Sequence, residues 1–393
     1  MPLTIGVPAE TYPHERRVAL TPRAIDTLAK SGVELRMEAG AGERAGFLDG
    51  EYEQKGVRVV RSRREVFDAS TVILQVHTLG DNPDAGAADL PLFRRGQTVI
   101  GFGDPFTTPN QYPELAARGV TSLAMEFMPR ITRAQSMDAL SSMATVAGYK
   151  AVLLAADALP RMFPMLMTPA GTIAPARVFV LGAGVAGLQA IATARRLGAV
   201  VSAYDVRPAV KEQVESLGAR FVSVAVDAAA EDRSGYAKAL GEEFYRRQRE
   251  LLTEVVREQD VVITTAAVPG QRAPLLLTRD MVAGMGLGSV VVDLAAERGG
   301  NCELTEPGRT IEASGVTIIG LLNLPSTVPY HSSQMYARNI AAFVKHLVRD
   351  GALVIDMEDE ITRETLITHQ GEIVHPRVRQ FLVKEQPQPD AVR

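Results

Sequence analysis

The chain has 393 residues, 46% hydrophobic and 22% charged, with a formal net charge of −4. It is long enough for two domains with full cores, and its slight acidity argues against nucleic acid or an anionic membrane surface as a direct partner. Cys302 is the only cysteine, which excludes an intramolecular disulfide and fits a reducing cytoplasm. Met1–Glu10 contains no signal-like apolar run, and no stretch of 18 uncharged apolar residues stands anywhere in the chain, so no bilayer-spanning segment is expected.

The N-terminal third alternates short apolar strands with helical patterns. Strands are expected at Leu3–Val7, Glu34–Glu38, Val57–Val60, Thr71–Val76, Thr98–Phe102 and Thr121–Glu126, and helices at Pro22–Ser31, Arg64–Ala69 and Gln111–Arg118. This rhythm predicts a parallel sheet covered on both faces. Asp81–Leu90 reads as a polar surface loop. Arg133–Leu159 reads as one long helix. The prolines that follow enclose Met165–Leu166–Met167, an apolar patch suited to a hairpin arm over a subunit partner or to core packing. From Ala176 the rhythm resumes, with strands at Arg177–Leu181, Val200–Tyr204, Arg220–Ser223, Val261–Thr264, Ser289–Asp293 and Val316–Ile319. A second long helix near Ser332–Val348 leads to strand-like pieces at Leu353–Asp356 and Glu372–Val374. The expected architecture is α/β: two doubly wound Rossmann-like domains with parallel sheets, separated by a cleft and bridged by long helices. Residues 1–136 plus 327–393 would form the first domain, and residues 137–326 an NAD(H)-binding domain.

The most telling stretch is Val178–Gly187, VFVLGAGVAG. A buried strand runs into G-x-G-x-x-G and then a helix. Gly182 permits the tight turn, Gly184 lets a pyrophosphate approach the backbone, and Gly187 lets the helix pack on the strand. The helix N-terminus, with its unpaired N–H groups and positive dipole end, faces the phosphates. Asp205 ends the next strand, roughly 20 residues on, where a dinucleotide site places an acid for the adenosine ribose. Its charge favours NAD over NADP, although Arg207 is the residue type an NADP site uses.

A second polar group stands at Met128–Ser142. Arg130, Gln135, Asp138 and Ser141 could hold a carboxamide and a nicotinamide ring, with Asp138 and Ser141 on one helix face. The same residues also suit a solvated helix start capped by Thr132 or Ser136.

PRITRAQSMDALSS, GAGVAGLQAIATARRLGAVV, YDVR, KEQVESLGA, GYAKALGEEF and TTAAVPG together make the chain similar, from Leu3 to about Val378, to the NAD(H)-binding component of proton-translocating NAD(P) transhydrogenases, the N-terminal portion of their alpha subunit. The resemblance implies that Arg130, Gln135, Asp138 and Ser141 grip the nicotinamide and its ribose. It implies that Gly182, Gly184, Val185 and Gly187 make the phosphate turn, and that Asp205, Val206 and Arg207 meet the adenosine ribose. Gly235 and Tyr236 would tip a mobile loop that closes over nucleotide, and Gln248 and Ala267 would line the cleft. Met143, Thr145 and Ala267 depart from the family pattern, where Gln, Asn and a bulkier apolar residue are frequent.

Alanine dehydrogenases resemble the same chain throughout. Their chemistry moves a proton with the hydride and needs an acid/base. Their Lys corresponds to Gln75, and their His region reads Gly101–Phe102–Gly103–Asp104. Glu297 matches a further carboxylate. Arg17 remains where an Arg for a substrate carboxylate would sit, and His77 follows Gln75 on the same strand face. Transfer between two nicotinamides requires only proximity and orientation, and no metal-binding spacing is evident. The resemblance therefore implies an Re/Si-specific, proton-translocating NAD(P)⁺ transhydrogenase using NAD(H) here and NADP(H) on a partner. It further implies a homodimer, peripheral on the cytoplasmic side of the membrane. The partners would be an NADP(H)-binding membrane beta subunit and a small second alpha chain in the membrane. A stand-alone alanine- or opine-type dehydrogenase and a non-catalytic NAD sensor are the alternatives.

Overall fold

The computed structural model describes residues 3–29, 32–223, 242–267 and 270–385. The chain divides into two compact units, Met1–Met143 with Ser326–Arg393, and Ala144–Pro325. Gly235 and Tyr236 lie outside the described residues.

The first unit is built on an eight-stranded sheet. Its order is Glu372–Ile373, Leu366–His369, Thr121–Ala124, Thr98–Phe102, Val72–His77, Thr4–Val7, Glu34–Glu38 and Arg58–Val60. The six strands from Thr121–Ala124 to Arg58–Val60 run parallel. Their order is the doubly wound 3-2-1-4-5-6 arrangement, whose switch point lies between the first and fourth strands. Every residue of Val72–His77 is buried, as expected of a central strand covered on both faces. The helix Pro329–Leu347 packs on Pro22–Ala29 and buries Tyr336, Ile340, Phe343 and Val344 completely.

The second unit repeats the plan. Its sheet order is Arg220–Val222, Val200–Tyr204, Arg177–Leu181, Val261–Thr264, Val290–Asp293, Val316–Ile319 and Thr310–Ala313. All but Thr310–Ala313 are parallel to their neighbours. That antiparallel edge strand, with its alternately exposed and half-buried residues, carries too weak a pattern to be expected from sequence. Val178, Phe179, Val180 and Leu181 form the centre of the core, fully buried.

Four expectations are corrected. The long helix begins only at Ala139 and ends at Ala158, preceded by a 3₁₀ turn over Thr132–Met137. Asp81–Leu90 is not a surface loop: it folds into short helical turns that bury Asn82, Asp89 and Leu90, because Asp89 pairs with Arg63 at 2.5 and 2.6 Å. Leu353–Asp356 contributes only the short ladder of Ala352–Leu353 with Val348–Arg349. Leu366–His369 carries no expected strand, yet it pairs with Thr121–Ala124. Met165–Met167 does enter a hairpin, Leu166–Thr168 with Gly171–Ile173, whose Met165, Met167 and Ile173 are exposed. The helix Ala139–Ala158 has the length and apolar character to cross a membrane, but Ala151, Val152 and Ala155 on it are fully buried in the second unit's core.

Candidate functional site

In the second unit the first strand ends at Leu181, and the chain turns on Gly182, whose φ of +99° lies where side chains are strained. A Cβ on Gly187 would lie 1.8 Å from the Gly182 carbonyl oxygen, so only glycine lets the helix Val185–Arg196 start this close to the strand. A Cβ on Gly184 would meet nothing within 4 Å. That open space lies at the N-cap of the helix, where first-turn N–H groups lack intrahelical acceptors. An anion approaching there would meet backbone donors and the positive end of the dipole. Val185, the first helical residue, is exposed.

The opposite wall is fixed by buried polar groups. Thr265 Oγ1 donates to the Gly182 carbonyl at 3.0 Å. Asn301 accepts from the Ala266 N–H at 3.0 Å and donates to the carbonyls of Ala266 and Pro274 at 2.8 Å. Asn301 is itself placed by Asp293, which accepts from Thr264 and Thr305 hydroxyls and the N–H groups of Ala295, Asn301 and Cys302. Sequence reasoning missed Asp293 and Asn301; the available signal was an acid closing the apolar strand Val290–Asp293. Ala267, beyond this anchor, is exposed.

Asp205 follows the second strand and is gripped by four donors. They are the Ala183 N–H at 2.7 Å, the Arg207 N–H at 2.9 Å, and Arg207 Nε and Nη2, each at 2.9 Å. Val206 spans the two, packed against the adjacent apolar cluster. Gln248 is buried, and its amide donates to the Tyr204 hydroxyl at 2.9 Å. The side chain expected to line a cleft is therefore spent on the strand that presents Asp205. Burial, above all, pushes the Tyr204 phenol up to about 12.

The first unit holds the other candidates. Arg130 and Gln135 are exposed. Asp138 and Ser141 do not simply share a helix face: Asp138 precedes the helix, and its Oδ1 accepts the Ser141 N–H at 2.9 Å while its Oδ2 accepts the Ser141 hydroxyl at 2.5 Å. Asp138, rather than Thr132 or Ser136, is the N-cap. The preceding turn is anchored by Asn339, which donates to the Ser136 carbonyl at 2.9 Å, and by the 2.6 Å pair of Arg133 with Asp359.

The switch point of the first unit is filled by its own charges. Glu10 accepts the N–H groups of Val76 and His77 at 2.6 and 3.2 Å. Glu15 and Arg17 form a buried two-point pair at 2.6 and 2.8 Å, and Arg17 Nη1 lies 3.1 Å from the Met143 sulfur. His77 Nε2 meets Glu15 at 2.7 Å, and its Nδ1 meets Asp81. Burial opposes charge on His77, but Asp81 and Glu15 outweigh it and raise the imidazole to about 9. Burial opposes charge on Glu15 too, yet Arg17 and His77 hold it well below the usual carboxylate range. Desolvation raises Glu10 to about 7 and Glu126 to about 8. Glu126 Oε1 accepts the N–H groups of Gly103 and Asp104, and its buried Oε2 has no hydrogen-bond partner. Gln75 does not join His77. The ladder is irregular between Leu74 and His77, and the Gln75 amide donates to Asp89 at 3.1 Å. Glu297 accepts the Asn323 N–H at 2.6 Å. Glu10, Glu15 and Asp81 were missed from sequence, although two acids directly after an apolar strand were visible.

Fold and site define a class: a two-unit, doubly wound α/β protein carrying one Rossmann-type glycine turn. Family models for the alanine dehydrogenase/PNT N-terminal and C-terminal domains match residues 6–147 and 151–376, and the chain belongs to that family. It is 44% identical over 378 residues to the first of the separately encoded NAD(P) transhydrogenase alpha-subunit chains of Rhodospirillum rubrum, covering 95% of this chain and 98% of that protein. The solved structure of transhydrogenase from Sinorhizobium meliloti superposes with a TM-score of 0.85 at 45% identity, covering 94% of this chain and all of that one. Alanine dehydrogenase of Halomonas elongata is 31% identical over 384 residues, 96% of each chain.

Proposed function

We propose that this chain is the NAD(H)-binding component of a proton-translocating transhydrogenase, and that it gives hydride directly to NADP⁺ held on a membrane-bound partner subunit. The observation that carries this reading over a self-contained dehydrogenase is the state of His77. Oxidising an amine or alcohol needs a base. Both ring nitrogens of His77 are engaged by carboxylates, and an imidazole raised to about 9 is already protonated at neutral pH. Gln75 supplies no amine in place of lysine. Transfer between two nicotinamides asks nothing of such groups; it asks for orientation.

The residues present fit NAD(H). The open space over Gly184 admits pyrophosphate, the helix start at Val185 faces it, and Asp205 with Val206 and Arg207 takes the ribose end. Bound NADH supplies the hydride. Arg130, Gln135, Asp138 and Ser141 are assigned to the nicotinamide and its ribose, with Asp138 and Ser141 held rigid by their mutual hydrogen bonds. Gly235, Tyr236, Gln248 and Ala267 complete the assignment, Gln248 acting through Tyr204. In this reading the chain works as a homodimer on the cytoplasmic face, and the membrane subunits carry the proton.

The test is hydride transfer from NADH to NADP⁺ by the purified chain, alone and mixed with an NADP(H)-binding transhydrogenase domain. Transfer only in the mixture is expected. Alanine-dependent NAD⁺ reduction by the chain alone would overturn the reading and direct attention to Glu126. Nucleotide binding with neither activity would favour a sensor.

A further inference from the structure

Asp205 has no vacant acceptor position to offer a ribose. A carboxylate has about four lone-pair sites, and four donors already fill them: two backbone N–H groups and two from the Arg207 side chain. The backbone donors are fixed by the glycine turn and by the chain itself. The Arg207 fork is the element that can leave. Both side chains are largely buried, 7% exposed for Asp205 and 16% for Arg207, so the pair sits in a setting that strengthens charge-assisted hydrogen bonds.

We infer that Arg207 is a latent 2′-phosphate receptor held shut by Asp205, so that the pair, and not Asp205 alone, sets the choice between NAD(H) and NADP(H). The inference rests on the NAD(H) reading above. A ribose 2′-hydroxyl is a donor, so it replaces one guanidinium N–H on Asp205 with another hydrogen bond. A 2′-phosphate is an acceptor only at neutral pH. It cannot bond to Asp205 and must draw Arg207 away from a two-point partner while leaving that carboxylate short of donors. Discrimination therefore comes from donor–acceptor matching. Simple repulsion contributes less, because the paired guanidinium neutralises the carboxylate. Once the carboxylate is removed, the same guanidinium can make the bidentate contact with phosphate that its geometry suits.

The experiment is equilibrium titration of the full chain with NADH and with NADPH, followed by nucleotide fluorescence, for the parent, Asp205→Ser, Arg207→Gln and Asp205→Ser/Arg207→Gln. Thermal unfolding verifies each fold, and Asp205→Asn serves if the serine variant is unstable. Asp205→Ser is expected to weaken NADH and tighten NADPH, each by about tenfold or more, the scale of a charge-assisted hydrogen bond. The NADPH gain is expected to fall with added salt and to vanish in the double variant. A parent that binds NADH with an Asp205→Ser variant that gains no NADPH affinity overturns the inference alone. A gain that survives in the double variant also overturns it, because Arg207 is then not the receptor. A parent that binds neither nucleotide overturns both the inference and the reading beneath it.

Discussion

The two units share a strand order and differ in what they place at its reversal. In the second, the first loop after the first strand is glycine-rich and leaves open space at a helix start. In the first, the corresponding loop has no glycine between Val7 and Arg17, and Glu10 binds the N–H groups at the end of the fourth strand. Glu15, Arg17, His77 and Asp81 fill the rest. One topology yields a receptor where side chains are removed and a plug where charged ones are retained. The difference lies in the loop residues, which the strand order does not dictate.

The sharpest way to break this comparison is to give the second unit a side chain at its turn. In Gly187→Val a Cβ would start 1.8 Å from the Gly182 oxygen, so helix and strand must separate. A loss of about 3 kcal/mol or more in stability is expected, with NADH binding abolished, as measured by thermal unfolding and titration. Retained affinity would mean that the turn does not hold nucleotide. The converse change, Arg17→Met, strands the fully buried Glu15 carboxylate. It is expected to cost about 3–5 kcal/mol while leaving NADH affinity of the folded protein within about twofold, a change of under 0.5 kcal/mol. Adding Glu15→Gln is expected to recover most of that loss. A large fall in NADH affinity would show that the plug belongs to the nucleotide site.

The plug also makes the first unit pH-sensitive in a direction that follows from its shifts. Glu10, Glu126 and His77 bind their protons more tightly folded than unfolded, with values raised from 4.5 to about 7, from 4.5 to about 8 and from 6.5 to about 9. Each contribution is complete below the unfolded value and lost as pH rises through the folded one. Glu15 is lowered, so its contribution is complete above 4.5 and lost on acidification. The melting temperature is therefore expected to decline across pH 4.5–9, most steeply just below pH 7, where all three groups titrate. His77→Gln should flatten the upper end of that decline. A melting temperature that stays level from pH 6 to 9 would contradict the cluster.

The strands and the glycine turn are legible in the sequence because both rest on local pattern: apolar runs of strand length, and glycines whose spacing encodes a turn and a close approach. What depends on partners distant in the chain is concealed. Asp89 reads as a loop acid until Arg63, 26 residues away, buries it. Leu366–His369 finds its strand partner more than two hundred residues back. Gln248 reads as a cleft residue until its amide is seen on Tyr204. The nicotinamide-loop candidates stand between these cases. Their residue types are evident, but the expected helix start lies six residues too early because Thr132–Met137 takes a 3₁₀ turn.

That displaced start frames the smallest effect. Asp138 caps the helix Ala139–Ala158 through the Ser141 N–H, and it is also assigned to the nicotinamide ribose. The two roles separate by substitution. Asparagine caps about as well as aspartate, whereas alanine does not, so Asp138→Ala is expected to cost about 1 kcal/mol and Asp138→Asn only a few tenths. A ribose contact that needs the carboxylate should fail in both, lowering hydride transfer in the reconstituted mixture even in the stable asparagine variant. If Asp138→Asn transfers hydride at the parent rate with parent stability, the carboxylate is a cap and nothing more. The polar end of the first unit would then owe its nucleotide contacts to Arg130, Gln135 and Ser141.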